Sequence, residues 1–384
     1  MFLAVLFCLV CCFSQRQSYA ESLEDSLLEN IEDKLNKLNL DAIERFVLSF
    51  QEKNSTLFEG SFLDKVRAII DGKEQFDYTN FFSYILNLLF EEILQFIPLL
   101  ASVVIICIIC SLFSNISPDS QGEKVGKVIY FACFSLVAVM IFSVFKGLLA
   151  DTGGVLDLIK NQMQILFPIL LTLITSIGSV VTVSTFQPVV VLLSSSVVSA
   201  IASVVMPLFI FSFVFNIVGN LSSNVKLEKC SKFLSSLFKW LIGTIFGVFM
   251  TILSFQGIMA SVTDSISIKT TKFALKSYVP FVGNYVSDGL GLILASSVII
   301  KNAVGVAGLF LLVGTIILPL VKIVVFMLGL KLVSAIVEPL ANNGLANFLY
   351  ASSKCLNMLL ACIISVGFMY VITIGLLMCS ANIF

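Results

Sequence analysis

Histidine is the most informative absence in this 384-residue chain, because it does not occur at all. Without it the protein has no imidazole general base, no histidine metal ligand and no side chain that ordinarily titrates near neutral pH. The patterns GxGxxG, GxSxG and GxxxxGK[ST] are also missing, and HExxH cannot occur. The sequence therefore predicts a protein that is not an enzyme, with no catalytic residue, no cofactor and no metal site.

Charged residues are also scarce. Charged residues make up 12% of the chain and hydrophobic residues 58%, with a mean hydropathy of +1.04, whereas a soluble domain is about 25% charged. The excess of apolar side chains must face lipid, which indicates a polytopic membrane protein. Arginine ends at Arg67, and all fifteen bases of residues 81–384 are lysine. This composition argues against nucleic acid as a partner.

The first 80 residues differ in character from the rest. Residues 1–20 contain an apolar core of about twelve residues followed by Ser18-Tyr19-Ala20, which is typical of a signal peptide, with a retained anchor as the alternative. Residues 21–80 hold fourteen acids against seven bases, and their apolar residues recur every three or four positions. We interpret them as an acidic extracytoplasmic helical arm, either a solvated helix or a docking arm for another subunit. Residues 81–384 form the polytopic transmembrane domain.

The apolar segments predict an all-α polytopic membrane protein with about seven or eight transmembrane helices plus partial or re-entrant segments. Glu91 and Glu92 are expected to separate a surface helix in 61–93 from the first span. The pentapeptide STFQP at 184–188 predicts a turn, and Pro207 predicts a kink or a helix end. The apolar segments are 95–113, 128–149, an uncharged stretch 161–225 with room for two spans and part of a third, 240–258, 289–320, 321–337 and 355–379.

The richest constellation of polar residues is the insert, which we define as residues 257–283 (GIMASVTDSISIKTTKFALKSYVPFVG). Lys269, Lys272 and Lys276 fall at i, i+3 and i+7 and would form one stripe of a helix. Asp264 or Thr263 suits the start of this short helix and Pro280 its end. The insert is either a surface helix that meets anionic headgroups or a re-entrant, pore-facing segment.

Orientation raises a conflict around segment 240–258. Lysines cluster on both sides of it, four in 226–239 and three in the insert, and lysine-rich loops favour the cytoplasm. Both clusters cannot be cytoplasmic loops if the segment crosses the membrane fully. Either one cluster lies outside or one of these segments is re-entrant.

Lys301 and Asn302 interrupt the apolar run 289–320 and raise the same question as the insert. If the run is one long helix, Lys301 is buried and needs a partner, and Asp288 is too distant along that helix to serve. We expect a helix break at Lys301-Asn302 instead.

The insert and the segments around it resemble the stage III sporulation protein AE family of endospore-forming Firmicutes. The resemblance continues through GLILASSVIIKNAVGVAGL (291–309) and includes STFQPVVVLLSSS (184–196) and VEPLANNG (337–344). The stretches LNLDAIERF (38–46) and GSFLDKVRAIIDGKEQF (60–76) are similar to the family's extracytoplasmic arm. No catalytic residues accompany the resemblance.

The resemblance implies a membrane subunit of a secretion-like channel complex that links the mother cell and the forespore and sustains the forespore after engulfment. It implies a location in the mother-cell membrane around the forespore, and partners among the other stage III sporulation membrane subunits, the lipid bilayer and, as a further option, copies of the same chain. The candidate pore or interaction segment then comprises Asp264, Lys269, Lys272, Lys276, Pro280, Asp288, Lys301 and Asn302. The alternative is a secondary transporter with a midplane solute site built from broken helices near Pro207 and Lys301.

Overall fold

The structure is a computed structural model, and its described secondary structure is entirely helical, with no strand in the described ranges. It describes residues 30–36, 38, 40–51, 60–72, 78–115, 120–191, 196–221, 228–278, 283–339 and 343–380. Side chains of residues 256–269 and 271–290 lie outside the description. The predicted signal peptide, residues 1–20, also lies outside the described residues.

Two short helices and several long ones follow a helical stretch at 30–36. The long helices exist because their apolar runs have no water to satisfy a free backbone, so each N–H must bond within its own helix. The helices are α1 (Asp41–Gln51), α2 (Phe62–Ile70), α3 (Tyr78–Asn115), α4 (Ser120–Ser176), α5 (Val180–Val191), α6 (Val198–Ala200, continued by Met206–Leu221), α7 (Glu228–Tyr278), α8 (Gly283–Val337) and α9 (Asn343–Cys379).

Within the described residues, six helices are long and apolar enough to cross a membrane, which confirms the all-α polytopic class. The count is lower than the seven or eight expected, because segments predicted as separate spans are joined. Segments 128–149 and 161–176 both lie in α4, and 289–320 and 321–337 both lie in α8. The junction in α4 carries charge but no proline, and α8 continues through both Pro319 and Lys322 at its junction. Neither the charges nor this proline ends the helix, since prolines are tolerated within membrane helices.

The expected separation at Glu91 and Glu92 is also wrong, since α3 runs through both residues without interruption. Glu92 is 7% exposed and faces the other helices, whereas Glu91 lies on the exposed side. A charged pair therefore interrupts the apolar pattern of the sequence but does not break the helix.

The turn predicted at STFQP lies instead at residues 177–179. STFQP belongs to α5, which contains Pro188, and the chain reverses at Gly178, whose φ is +86°. A positive φ is strained for residues with a Cβ, so glycine marks the turn. At Pro207, where the sequence predicts a kink or a helix end, the helix changes type and does not end. A π-helical segment, Ile201–Val205, precedes it and accommodates the missing N–H of the proline.

Helix α8 forms the centre of the bundle and packs against α9, α4 and α3. In its most apolar window 67% of residues are buried, against 22% for α3 and α7. Gly305 lies against Met378 of α9, Gly308 against Leu166 of α4, and Gly329 against Leu100 of α3. These glycines let neighbouring helices approach closely, as small residues do at helix contacts in membranes.

Inside the N-terminal arm, α1 and α2 are joined through Glu44. Its Oε1 accepts hydrogen bonds from the Ser61 hydroxyl at 2.6 Å and from the Leu63 N–H at 2.8 Å. Ser61 is also the N-cap of α2 and accepts from the same Leu63 N–H. A carboxylate at the start of a helix satisfies free N–H groups and complements the helix dipole. The acidic composition of the arm thus has a structural use at this position.

We predict that Gly308→Ala destabilises the protein by about 1–3 kcal/mol, the usual cost of overpacking a close contact. The added Cβ would meet Leu166 Cδ2, and Ile374 Cδ1 lies 3.4 Å away. Thermal unfolding in detergent, followed by circular dichroism, measures the effect. The control is Gly243→Ala, whose Cβ meets nothing within 4 Å; similar unfolding midpoints for the two variants would contradict the close-packing assignment.

Candidate functional site

The insert does not begin with a helix of its own. Helix α7 runs without a break from Glu228 to Tyr278, so the predicted start at Asp264 is wrong. The backbone of Lys269, Lys272 and Lys276 is helical, as predicted, and α7 ends just before the segment that contains Pro280. The side chains of Asp264 and the three lysines, and all of Pro280, lie outside the described residues. The role predicted for them remains a prediction.

The continuity of α7 removes one of the two explanations for the lysine clusters on both sides of segment 240–258. Because 240–258 belongs to an uninterrupted helix, it is not a re-entrant loop. Lys239 and Lys269 are thirty positions apart on that helix, which is about 45 Å and matches a bilayer with its headgroups. If α7 crosses the membrane, one lysine cluster therefore lies on each side.

Lys301 belongs to the same candidate segment, and the helix break expected there is wrong. Helix α8 continues through Lys301 and Asn302. The Lys301 side chain is fully buried, and its Nζ donates a hydrogen bond of 2.5 Å to the carbonyl of Ser380, at the end of α9. The last carbonyls of a helix have no intrahelical donor and carry the negative end of its dipole. Lys301 is therefore a buried cap for α9.

Other residues predicted for this site are only partly placed. Asn302 follows Lys301 on α8, and its Oδ1 is buried without a hydrogen-bond partner. Asp288 lies near the start of the same helix, and its side chain is outside the description. The structure therefore joins Lys301 to the end of α9.

The arm reaches the same end of the bundle, which the sequence did not indicate. Lys34 Nζ donates to the Ile293 carbonyl at 2.7 Å and to Ser297 Oγ at 2.5 Å. Ser297 precedes Lys301 by one turn of α8. Burial lowers the pKa of Lys34. The only available signal was a lysine within an acidic arm, which is too common to identify a docking residue.

A second polar layer, also missed from the sequence, lies farther along α8. Lys322 Nζ is 3.3 Å from Asp151 Oδ2 of α4, and Glu92 of α3 lies within electrostatic reach of both. Glu92 Oε2 is buried and has no hydrogen-bond partner. About three turns farther along α4, Gln162 donates to Thr315 Oγ1 of α8 at 2.5 Å. Helices α3, α4 and α8 thus each place a charged group within a candidate span. A charge there is costly in free energy unless it is paired or hydrated.

Neither layer has the composition of a metal centre. In the part of the chain that the structure describes, no group of three or more His, Cys, Asp and Glu side chains could hold a metal ion. The groups present can do other chemistry: an ammonium that donates to a carbonyl, an ion pair, and a buried carboxyl. Such arrangements join helices, and intramembrane ionisable groups of these kinds mark ion and proton pathways in membrane proteins generally.

We predict that Lys301→Ala destabilises the protein by about 2–5 kcal/mol. The change leaves the Ser380 carbonyl without its donor and opens a cavity where the aliphatic stem packed. The unfolding midpoint in detergent reports the loss. Lys239→Ala, at an exposed position of α7, is the matched control. An unchanged midpoint for Lys301→Ala would show that the buried ammonium does not hold α9.

Comparison with known proteins gives consistent findings over nearly the whole chain. The family model described as stage III sporulation protein AE matches residues 61–381. The chain is 24% identical over 369 residues to the stage III sporulation protein AE of Bacillus subtilis (strain 168), covering 96% of this chain and 92% of that protein. No solved structure matches it.

Proposed function

Because the chain belongs to the stage III sporulation protein AE family, we propose that it is a non-enzymatic membrane subunit of a channel complex that links the mother cell to the forespore. Membership of the family implies a role in sporulation, and the six apolar helices indicate a multi-pass membrane protein. The finer proposal is that the complex is secretion-like and sustains forespore development after engulfment. The family match over residues 61–381 is the observation that carries it.

The proposed location is the mother-cell membrane that surrounds the forespore, and the proposed partners are the other stage III sporulation membrane subunits. Three features support a subunit of an assembly. The arm docks at one end of the bundle through Lys34, charged groups lie within candidate spans, and large apolar side chains are exposed on several helices. Lipid covers some of this apolar surface, and other subunits or copies of the chain are proposed to cover the rest.

Only one of the two helix irregularities on which the transporter alternative depends is present. It required broken helices near Pro207 and Lys301. The backbone is irregular before Pro207, but α8 is continuous at Lys301. No specific observation favours a midplane solute site over a subunit of a larger complex.

Deleting the gene in the spore former that carries it tests the proposal. We expect forespores to arrest after engulfment, because the complex would lack one of its membrane subunits. Fluorescence microscopy with a membrane dye and heat-resistant spore counts measure the arrest. Re-expression from a mother-cell promoter should restore spores, whereas expression confined to the forespore should not. Normal spore counts in the deletion strain, or rescue from the forespore alone, would overturn the proposal.

A further inference from the structure

Helix α4 changes character along one face, and this change identifies a surface that the sequence did not indicate. From residue 125 to Phe142 its exposed side includes Val128, Phe131, Leu136 and Val139. Between Phe142 and Val180, all within the described part of the chain, no large hydrophobic side chain is exposed. The same helix therefore presents two chemically different surfaces to its surroundings.

We call the exposed side of α4 from Ser143 to Ser176 the polar face of α4. All thirteen exposed residues there are charged, polar, or small like Gly, Ala and Pro, and their spacing keeps them on one side of the helix. The opposite side packs into the core. The thirteen are Ser143, Lys146, Gly147, Ala150, Asp151, Gly154, Asp157, Asn161, Gln164, Pro168, Thr172, Thr175 and Ser176.

Lipid does not suit this face. It is about 50 Å long at 1.5 Å per residue, more than the hydrocarbon core of about 30 Å. Lys146, Asp151 and Asp157 would each cost about 2.5–3.5 kcal/mol at the centre of a bilayer. Only Asp151 among them has an ion pair that the structure records, with Lys322. The polar face of α4 therefore requires water or a polar partner.

This part of the bundle does not simply project into bulk water, because the neighbouring helix α3 is apolar at the same level. The Phe96 and Phe145 rings lie 5.0 Å and 6.2 Å from the ring of Phe326, so α3 and α4 share that level of the bundle. From there α3 runs alongside the polar face of α4, and it exposes Phe90 and Leu94 by 63% and 67%. At the same level of the bundle, the side formed by α3 therefore requires an apolar environment, whereas the polar face of α4 requires water.

We propose that the polar face of α4 forms part of the wall of a water-filled conduit for hydrophilic solutes. This inference rests on the channel complex proposed above and names the surface of the chain that faces its lumen. A wall has water on one side and lipid or other subunits on the other, which is the division that α4 and α3 show. The Asp151–Lys322 pair and the buried Glu92 carboxyl lie at the boundary between the two sides.

Reactivity of single cysteines toward a charged, membrane-impermeant methanethiosulfonate tests the conduit in membranes from sporulating cells. The parent is the full chain in its own complex, with the exposed Cys230 and Cys379 replaced by serine and its background subtracted. Gly154→Cys and Gln164→Cys probe the polar face. A side chain at Gly154 meets nothing within 4 Å, and immunoblotting of the membrane fraction shows that each variant accumulates to the level of the parent.

Leu136→Cys and Val139→Cys are matched controls, because they occupy exposed positions on the apolar part of α4. We expect Gly154→Cys and Gln164→Cys to react at least about tenfold faster, since the reagent attacks the thiolate, which forms in water and is suppressed in apolar surroundings. Phe90→Cys and Leu94→Cys, on α3, should react as slowly as the controls.

Three results would overturn the conduit. Reaction of Gly154→Cys only with a lipid-soluble maleimide would place the face in lipid. Oxidative cross-linking between copies without reaction toward the charged reagent would make it a packing surface. Equal reaction at Phe90→Cys and Gly154→Cys would show that this level projects into bulk water. The labelling does not depend on the deletion phenotype, so failure of the conduit and failure of the proposed function can be told apart.

Discussion

The close approach of α8 to its neighbours is the constraint on which the rest of the structure depends. Helices in lipid gain no hydrophobic free energy by meeting one another, so their association relies on packing and on polar bonds. Gly305 and Gly308 remove the side chains that would hold α9 and α4 away. Once the helices are close, Gln162 reaches Thr315 and Lys301 reaches the end of α9. Close packing thus makes buried polar contacts geometrically possible.

Much of the fold follows from composition, whereas the breaks assigned to charged residues do not. Hydropathy predicts membrane helices because each apolar side chain contributes independently. A charge in an apolar run ends a helix only if nothing satisfies it, and the satisfying group is distant in sequence. Asp151 pairs with Lys322 across 171 positions, and Lys301 bonds to a carbonyl 79 positions away. A backbone carbonyl has no sequence signature, so the sequence offers no partner for a buried Lys301 and favours a helix break there instead.

The polar face of α4 could not be predicted from the sequence for a related reason. The sequence singles out the charged insert, whereas the described part of the chain presents a long polar surface on α4. Residues 161–225 carry no charge, and a hydropathy average over them is high. Asn161, Gln164 and Thr172 disappear in that average because buried leucines and isoleucines separate them. Only the backbone, which assigns each residue to a side of the helix, separates the polar face from the core.

The bond between Lys301 and Ser380 also has a consequence for the order in which the protein is built. A ribosome that adds 5–20 residues each second needs roughly 4–16 s to proceed from Lys301 to Ser380, which lie 79 positions apart. Throughout that interval α8 exists without the acceptor at the end of α9. The end of the bundle that carries the docked arm therefore lacks this bond until Ser380 has been synthesised. At that end the arm is made first, and the end of α9 joins it only after α8 has been complete for several seconds.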